Sequence, residues 1–202
     1  MASSSSDLLR DLLKDVSRSF YLTVRIMPGP VRVPIGLAYL LARTTDTVAD
    51  TGVLPPERRL DALRQLQERI RGTSSRRLDF GEFARHQAQE AERVLLTRVE
   101  EALSVLAECA EDDRARIREV LEMIASGQML DLERFLEAGP ERLVALRTDA
   151  ELEDYTYRVA GCVGEFWTRI CRARLFPAAP VDDHFLMENG VRFGRGLQLV
   201  NI

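Results

Sequence analysis

Cysteine is scarce in this chain, and so is anything that would make a soft-metal site. Only Cys109, Cys162 and Cys171 occur, no two of them form a CxxC pair, and His86 and His184 are the only histidines. That excludes a disulfide framework and a structural zinc site, and it fits a reducing, cytoplasmic setting. Long apolar runs are also missing. The longest, Ile35 to Ala42, is less than half of what a bilayer span needs. Met1 to Ser6 forms a polar leader with no apolar core of a signal peptide. Excess positive charge is lacking as well: the formal net charge is −4, with arginines dispersed among acids, which argues against a nucleic-acid partner. Strand-like alternation and internal repeats are absent.

What is present is helical periodicity over 202 residues, enough for a single domain with its own core. Leu8, Leu9, Leu12, Leu13, Val16 and Phe20 recur at helical spacing behind the cap candidates Ser6 and Asp7, and Pro28-Gly29-Pro30 is expected to end that segment. Further helices are predicted from about Pro34 to Thr51, from Pro56 to Gly72, over 83–110 as one long element, and over 113–138 up to Gly139-Pro140. Thr148 and Glu151 form a capping box for a helix from Asp149 to about Leu175, and a last helix runs from Val181 to the chain end. The class is all-α.

Chemistry concentrates on Tyr39, Arg43, Asp46 and Asp50. At 100° per residue the two aspartates lie about 40° apart on one helix face, with Arg43 about 60° from Asp46 and Tyr39 almost in line one heptad earlier. Two acids one turn apart, with no lysine between them, invite a divalent cation, and hard oxygen ligands favour magnesium bridging to phosphates. Arg43 offers a planar fork for phosphate oxygens. The same DxxxD spacing also fits a solvated helix face. The apolar stretch before it, Ile35 to Ala42, reads as a buried helix and favours the metal reading. Taken singly, Tyr155, Phe20, Val159, Val163, Phe166 and Trp167 fit ordinary core positions, Gly161 and Gly164 close helix packing, and Asp131 a solvated acid with no assigned role.

Four blocks, in order, resemble the squalene/phytoene synthase family. They are Ser17-Arg18-Ser19-Phe20 with Tyr39, Arg43, Asp46 and Asp50; Met123-Ile124 through Gly127 to Leu130-Asp131-Leu132; Tyr155 through Val159-Ala160-Gly161 to Val163-Gly164; and Gly194 through Gln198 to Asn201-Ile202. The resemblance implies an isoprenoid-synthase helical bundle around a central cavity. It also implies a prenyltransferase that condenses two farnesyl diphosphates head to head, through presqualene diphosphate, to squalene. A phytoene or dehydrosqualene synthase and a non-catalytic isoprenoid-diphosphate-binding subunit are the alternatives. In that picture Asp46, Asp50 and Asn201 hold magnesium, and Ser17, Arg18, Ser19, Tyr39, Arg43 and Gln198 meet the diphosphate. Tyr155 and Arg43 act at the reacting centre, while Phe20, Val159 and Val163 wall a tunnel for the tail. NADPH would serve the complete enzyme, and the apolar product implies peripheral membrane contact. Thr156 and Cys162 depart from the tyrosine block. The second metal block stops at Asn201 before its further acids, so the expectation is an N-terminal two-thirds that lacks the closing C-terminal helices and does not turn over alone.

Overall fold

A computed structural model describes residues 11–17, 19–136, 138 and 141–202, the side chain of Ser19 excepted. The cap candidates Ser6 and Asp7, the stop at Gly139-Pro140 and Arg18 lie outside the described residues. Helix follows helix, with no strand element among the described residues. The order is α1 (11–17), α2 (Ser19–Ile26), α3 (Gly29–Ala49), α4 (Pro56–Arg71), α5 (Gly81–Arg85), α6 (Glu90–Thr97), α7 (Val99–Glu108), α8 (Glu111–Arg134), α9 (Asp149–Thr156), a π turn (Tyr157–Gly161), α10 (Cys162–Arg174) and α11 (Asp183–Asn201). No helix among the described residues is long and apolar enough to cross a membrane.

Local chemistry sets most boundaries. Pro28 caps α3 in an extended conformation and Pro30 occupies its first turn, so the Pro-Gly-Pro segment opens α3 rather than merely closing α2. The helix therefore begins five residues before the expected start at Pro34, which lies inside it. Gly72 ends α4 at φ 81°, a left-handed cap whose N–H returns to Glu68 and Arg69. Thr148 and Glu151 form the expected capping box.

The single helix expected over 83–110 is instead three. At the first break, Gln87 donates to Phe83 and Thr51, while Arg93 donates to the Gln87 carbonyl at 3.0 Å. Side chains thus satisfy backbone groups that the helix gives up. At the second, Arg98 (φ −103°, ψ 14°) caps both neighbours. These breaks lay α6 and α7 across α3.

α3 is the hub, packed against α2, α4, α6, α7, α8 and α10. Leu37, Leu40, Leu41 and Val48 are completely buried, each stabilising the fold by about 1.5–3 kcal/mol. The threonines along its buried length and just past its end satisfy themselves: Thr44, Thr45, Thr47 and Thr51 donate to carbonyls three or four residues back.

α11 docks on α10 and the π turn through glycine. A Cβ at Gly194 would lie 2.2 Å from the Ala160 carbonyl oxygen, and one at Gly164 2.0 Å from that of Gly190. Backbone meets backbone, with no flexible side chain to yield. Gly194→Ala is therefore expected to destabilise by ~1–3 kcal/mol through overpacking. Gly196→Ala, two residues on and facing open space, should stabilise by about 0.5–1 kcal/mol through helix propensity alone. Urea titration of both variants checks the contrast; equal effects would remove the docking role from Gly194.

Candidate active site

The C-terminal half of α3 delivers Tyr39, Arg43 and Asp46 to one cavity of about 400 Å³, between α2, α3, α8 and α10. Its wall is mostly apolar and aromatic. Phe20 stacks on Tyr39 with ring centroids 4.4 Å apart and meets Trp167 edge-on at 6.4 Å. Ile35, Ala38, Ile124, Val159, Val163 and Phe166 complete that wall, and Arg43, Asp46, Gln128 and Asp131 supply its polar groups. Phe166 and Trp167, which fit core positions by sequence alone, thus also face the cavity.

Asp46 is the most perturbed carboxyl. Burial pushes it up to about 6 against the pull of Arg43, and neighbouring Asp50 adds to the rise. Gln128 reaches across from α8 and donates its amide N–H to Asp46 Oδ1, while its own Oε1 is buried without a partner among the described residues. Asp50 is more exposed. It is raised by burial, relieved by Arg43 and Arg59, and raised further by Glu92. Asp50 opens on an adjoining cavity of about 450 Å³ with Arg59, Leu132, Phe135 and Leu136, whose lining also includes Gln128 and Asp131. The two aspartates therefore bracket a shared polar divide instead of lining one hollow. Tyr39 is likewise raised, by burial first, so its phenol keeps its proton and can donate.

Arg43 is already engaged: its Nη2 donates to Glu92 of α6 at 2.5 Å, with side-chain exposures of 33% and 14%. Tyr155 and Gln198 meet each other, Gln198 Nε2 lying 3.3 Å from the Tyr155 hydroxyl, but neither lines the main cavity. Asn201 is exposed at the end of α11. Ser17 is buried and donates its hydroxyl to the Leu13 carbonyl within α1, so it is not turned outward to a ligand. Arg18 and the Ser19 side chain lie outside the described residues.

Three participants were not assigned from sequence. Glu92 sits among Glu90 and Arg93 within what the sequence presents as one long helix, and the break before α6 brings it to Arg43. Gln128 follows Gly127, where a Cβ would lie 2.9 Å from Arg158 Cβ; that close approach brings α8 against the π turn. Asp131, given no role by sequence, lines both cavities and is raised by burial.

The donor set suits a hard divalent cation: a strained carboxylate pair, one member with its proton affinity lifted by burial, would be relieved by positive charge. Among the described residues no three His, Cys, Asp or Glu side chains converge on one metal position. A cation held by Asp46 and Asp50 would need further oxygen ligands.

Comparison with known proteins matches residues 13–202 to a family model described as Squalene/phytoene synthase. The chain is 27% identical over 198 residues to the bifunctional lycopene cyclase/phytoene synthase of Blakeslea trispora, covering 95% of this chain and 29% of that protein. It is 27% identical over 160 residues to squalene synthase ERG9 of Saccharomyces cerevisiae, covering 79% and 34%. Among solved structures, TcSQS in complex with the ligand E5700 superposes with a TM-score of 0.74 at 23% identity, covering 98% of this chain and 52% of that one. At that identity the likeness is one of fold. The chain spans about a third of these curated relatives and half of the solved structure.

A carboxyl whose folded pKa lies above its unfolded value, ~3.9, takes up a proton on folding. Stability is therefore lost as pH rises from about 4 through 6, and the loss is complete above that range. Without metal, Asp46→Asn should leave stability unchanged below about pH 4 and raise it by ~3 kcal/mol at pH 7. Denaturant titrations across that range check this; a variant less stable than wild type at pH 7 would contradict the strained-carboxylate picture.

Proposed function

The chain belongs to the squalene/phytoene synthase family, a prenyltransferase family, and on that premise we propose that it serves the magnesium-dependent head-to-head condensation of two farnesyl diphosphates, through presqualene diphosphate, to squalene. The observation that carries this reading is the division of the cavity: hydrocarbon and aromatic over most of its wall, a guanidinium and carboxylates at one end. An isoprenoid diphosphate has the same division.

Each part has a task. The apolar wall draws in the tail at ~0.8 kcal/mol per methylene buried, before binding costs. The aromatic cluster of Phe20, Tyr39 and Trp167 keeps water from the allylic carbons, and its ring faces stabilise positive charge as the diphosphate departs. Tyr39, held protonated, donates to a phosphate oxygen, and Arg43 offers a second contact. Asp46, Asp50 and, from α11, Asn201 would hold magnesium, which when bound offsets the charge on the leaving diphosphate. Tyr155, steadied by Gln198, is the candidate group for moving a proton or stabilising a cation near the reacting carbons. Reduced nicotinamide would enter only for the reductive second half of squalene formation.

A phytoene-type product is the second reading. It rests on the Blakeslea match, a phytoene-synthase-containing protein as similar to this chain as the yeast squalene synthase is. Expression of the open reading frame to its natural stop, followed by incubation with C15 or C20 diphosphate, magnesium and NADPH, separates them. A C30 hydrocarbon from the C15 substrate is the expected outcome. A C40 product alone would favour the phytoene reading, and binding without product the non-catalytic one. In the same assay Val163→Phe, which fills the cavity beside Phe20 and Trp167, should shift preference toward shorter chains. Asp46→Asn with Asp50→Asn should abolish magnesium-dependent turnover.

A further inference from the structure

Arg43 is the sole cation among the described residues lining the main cavity, and it is not free. Glu92, on a different helix and more buried than its partner, holds the guanidinium at 2.5 Å. The next cation, Arg59, lines the adjoining cavity with Asp50 and spends one nitrogen on the Ala49 carbonyl at 2.8 Å. The polar end of the main cavity therefore presents Asp46 and Asp131 beside an arginine whose charge is already matched. A bare diphosphate meets net negative charge there, whereas a diphosphate carrying its divalent cation does not.

We propose that Glu92 is a specificity-determining residue: by neutralising Arg43 it makes the cavity refuse a metal-free diphosphate and accept the magnesium-charged one. The inference rests on the isoprenoid-diphosphate reading above. Without Glu92, Arg43 would be an open fork at the cavity mouth and would bind phosphate oxygens unaided. The free diphosphate would then occupy the site without the cation that its departure requires. With Glu92 in place, phosphate binding has to compete for Arg43, and this competition succeeds only when the cation has lowered the charge on the ligand. Glu92 also adds repulsion at Asp50, which strengthens the site's demand for positive charge. The pair is partly exposed, so its partners can exchange without stranding a buried ion.

The test is calorimetry of inorganic pyrophosphate binding to the purified protein, with and without magnesium. Wild type should bind with magnesium and far more weakly without it. Glu92→Gln should tighten metal-free binding by roughly tenfold, the effect of removing one nearby negative charge in a partly screened site, and shrink the ratio of metal-free to metal-loaded Kd accordingly. Glu92→Asp, which keeps the charge, should retain the wild-type ratio, as should Glu90→Gln on the exposed side of the same helix. An unchanged ratio in Glu92→Gln, or the same change in Glu92→Asp, would overturn the proposal. If wild type bound pyrophosphate under neither condition, the diphosphate reading itself would fall and take this inference with it.

Discussion

The burial of α3 is the constraint on which the site depends. A helix surrounded by six others can carry apolar residues and self-satisfied threonines at little cost, but near its C-terminal end this one carries Arg43, Asp46 and Asp50. Each needs an answer from a neighbouring helix. Gln128 of α8 answers Asp46, Glu92 of α6 answers Arg43, and Arg59 of α4 lies near Asp50. None of these offsets the cost of burying a carboxylate, and burial, with Asp50 adding to it against the pull of Arg43, lifts Asp46 to about 6. A site held in that condition is poised for a cation and for a ligand that brings one.

The remainder of the molecule sets what that ligand can be. The breaks between α5, α6 and α7 allow α6 to cross α3, which brings Glu92 to Arg43. The π turn between α9 and α10 lies between Tyr155 and Val163, and irregular turns of this kind occur often at functional positions. Glycines at 164, 190 and 194 bring α11 close enough for Gln198 to reach Tyr155. The cavity residues and the Tyr155–Gln198 pair thus come from different helices, with α11 held on α10 and the π turn by backbone contact.

The helical class, the capping box at Thr148 and the Tyr39–Arg43–Asp46–Asp50 face were legible because they are local: each follows from spacing along one helix. Phe20, Val159 and Val163 fit core positions by spacing and were expected in a tunnel only through the family resemblance; they line the main cavity. The partners of the charged groups were not legible. Glu92 is 49 residues from Arg43 and Gln128 is 82 from Asp46, and nothing in either local pattern marks it. The helix over 83–110 was expected to be continuous because its apolar periodicity carries through the breaks; Gln87 and Arg93 replace the lost backbone bonds by contacts that no periodicity reports. Ser17 shows the opposite limit. Its block matches the family, yet its hydroxyl is bound to its own helix.

In the proposed mode the polar end of the main cavity binds a diphosphate through magnesium while the aromatic end holds the isoprenoid tail. A crystal structure with magnesium and a non-ionisable farnesyl thiodiphosphate tests it most directly. The account predicts magnesium between Asp46, Asp50 and the diphosphate oxygens, with the hydrocarbon chain against Phe20, Val163 and Trp167. A tail lodged instead beside Leu132, Phe135 and Leu136, or a diphosphate bound away from Asp46, would contradict it.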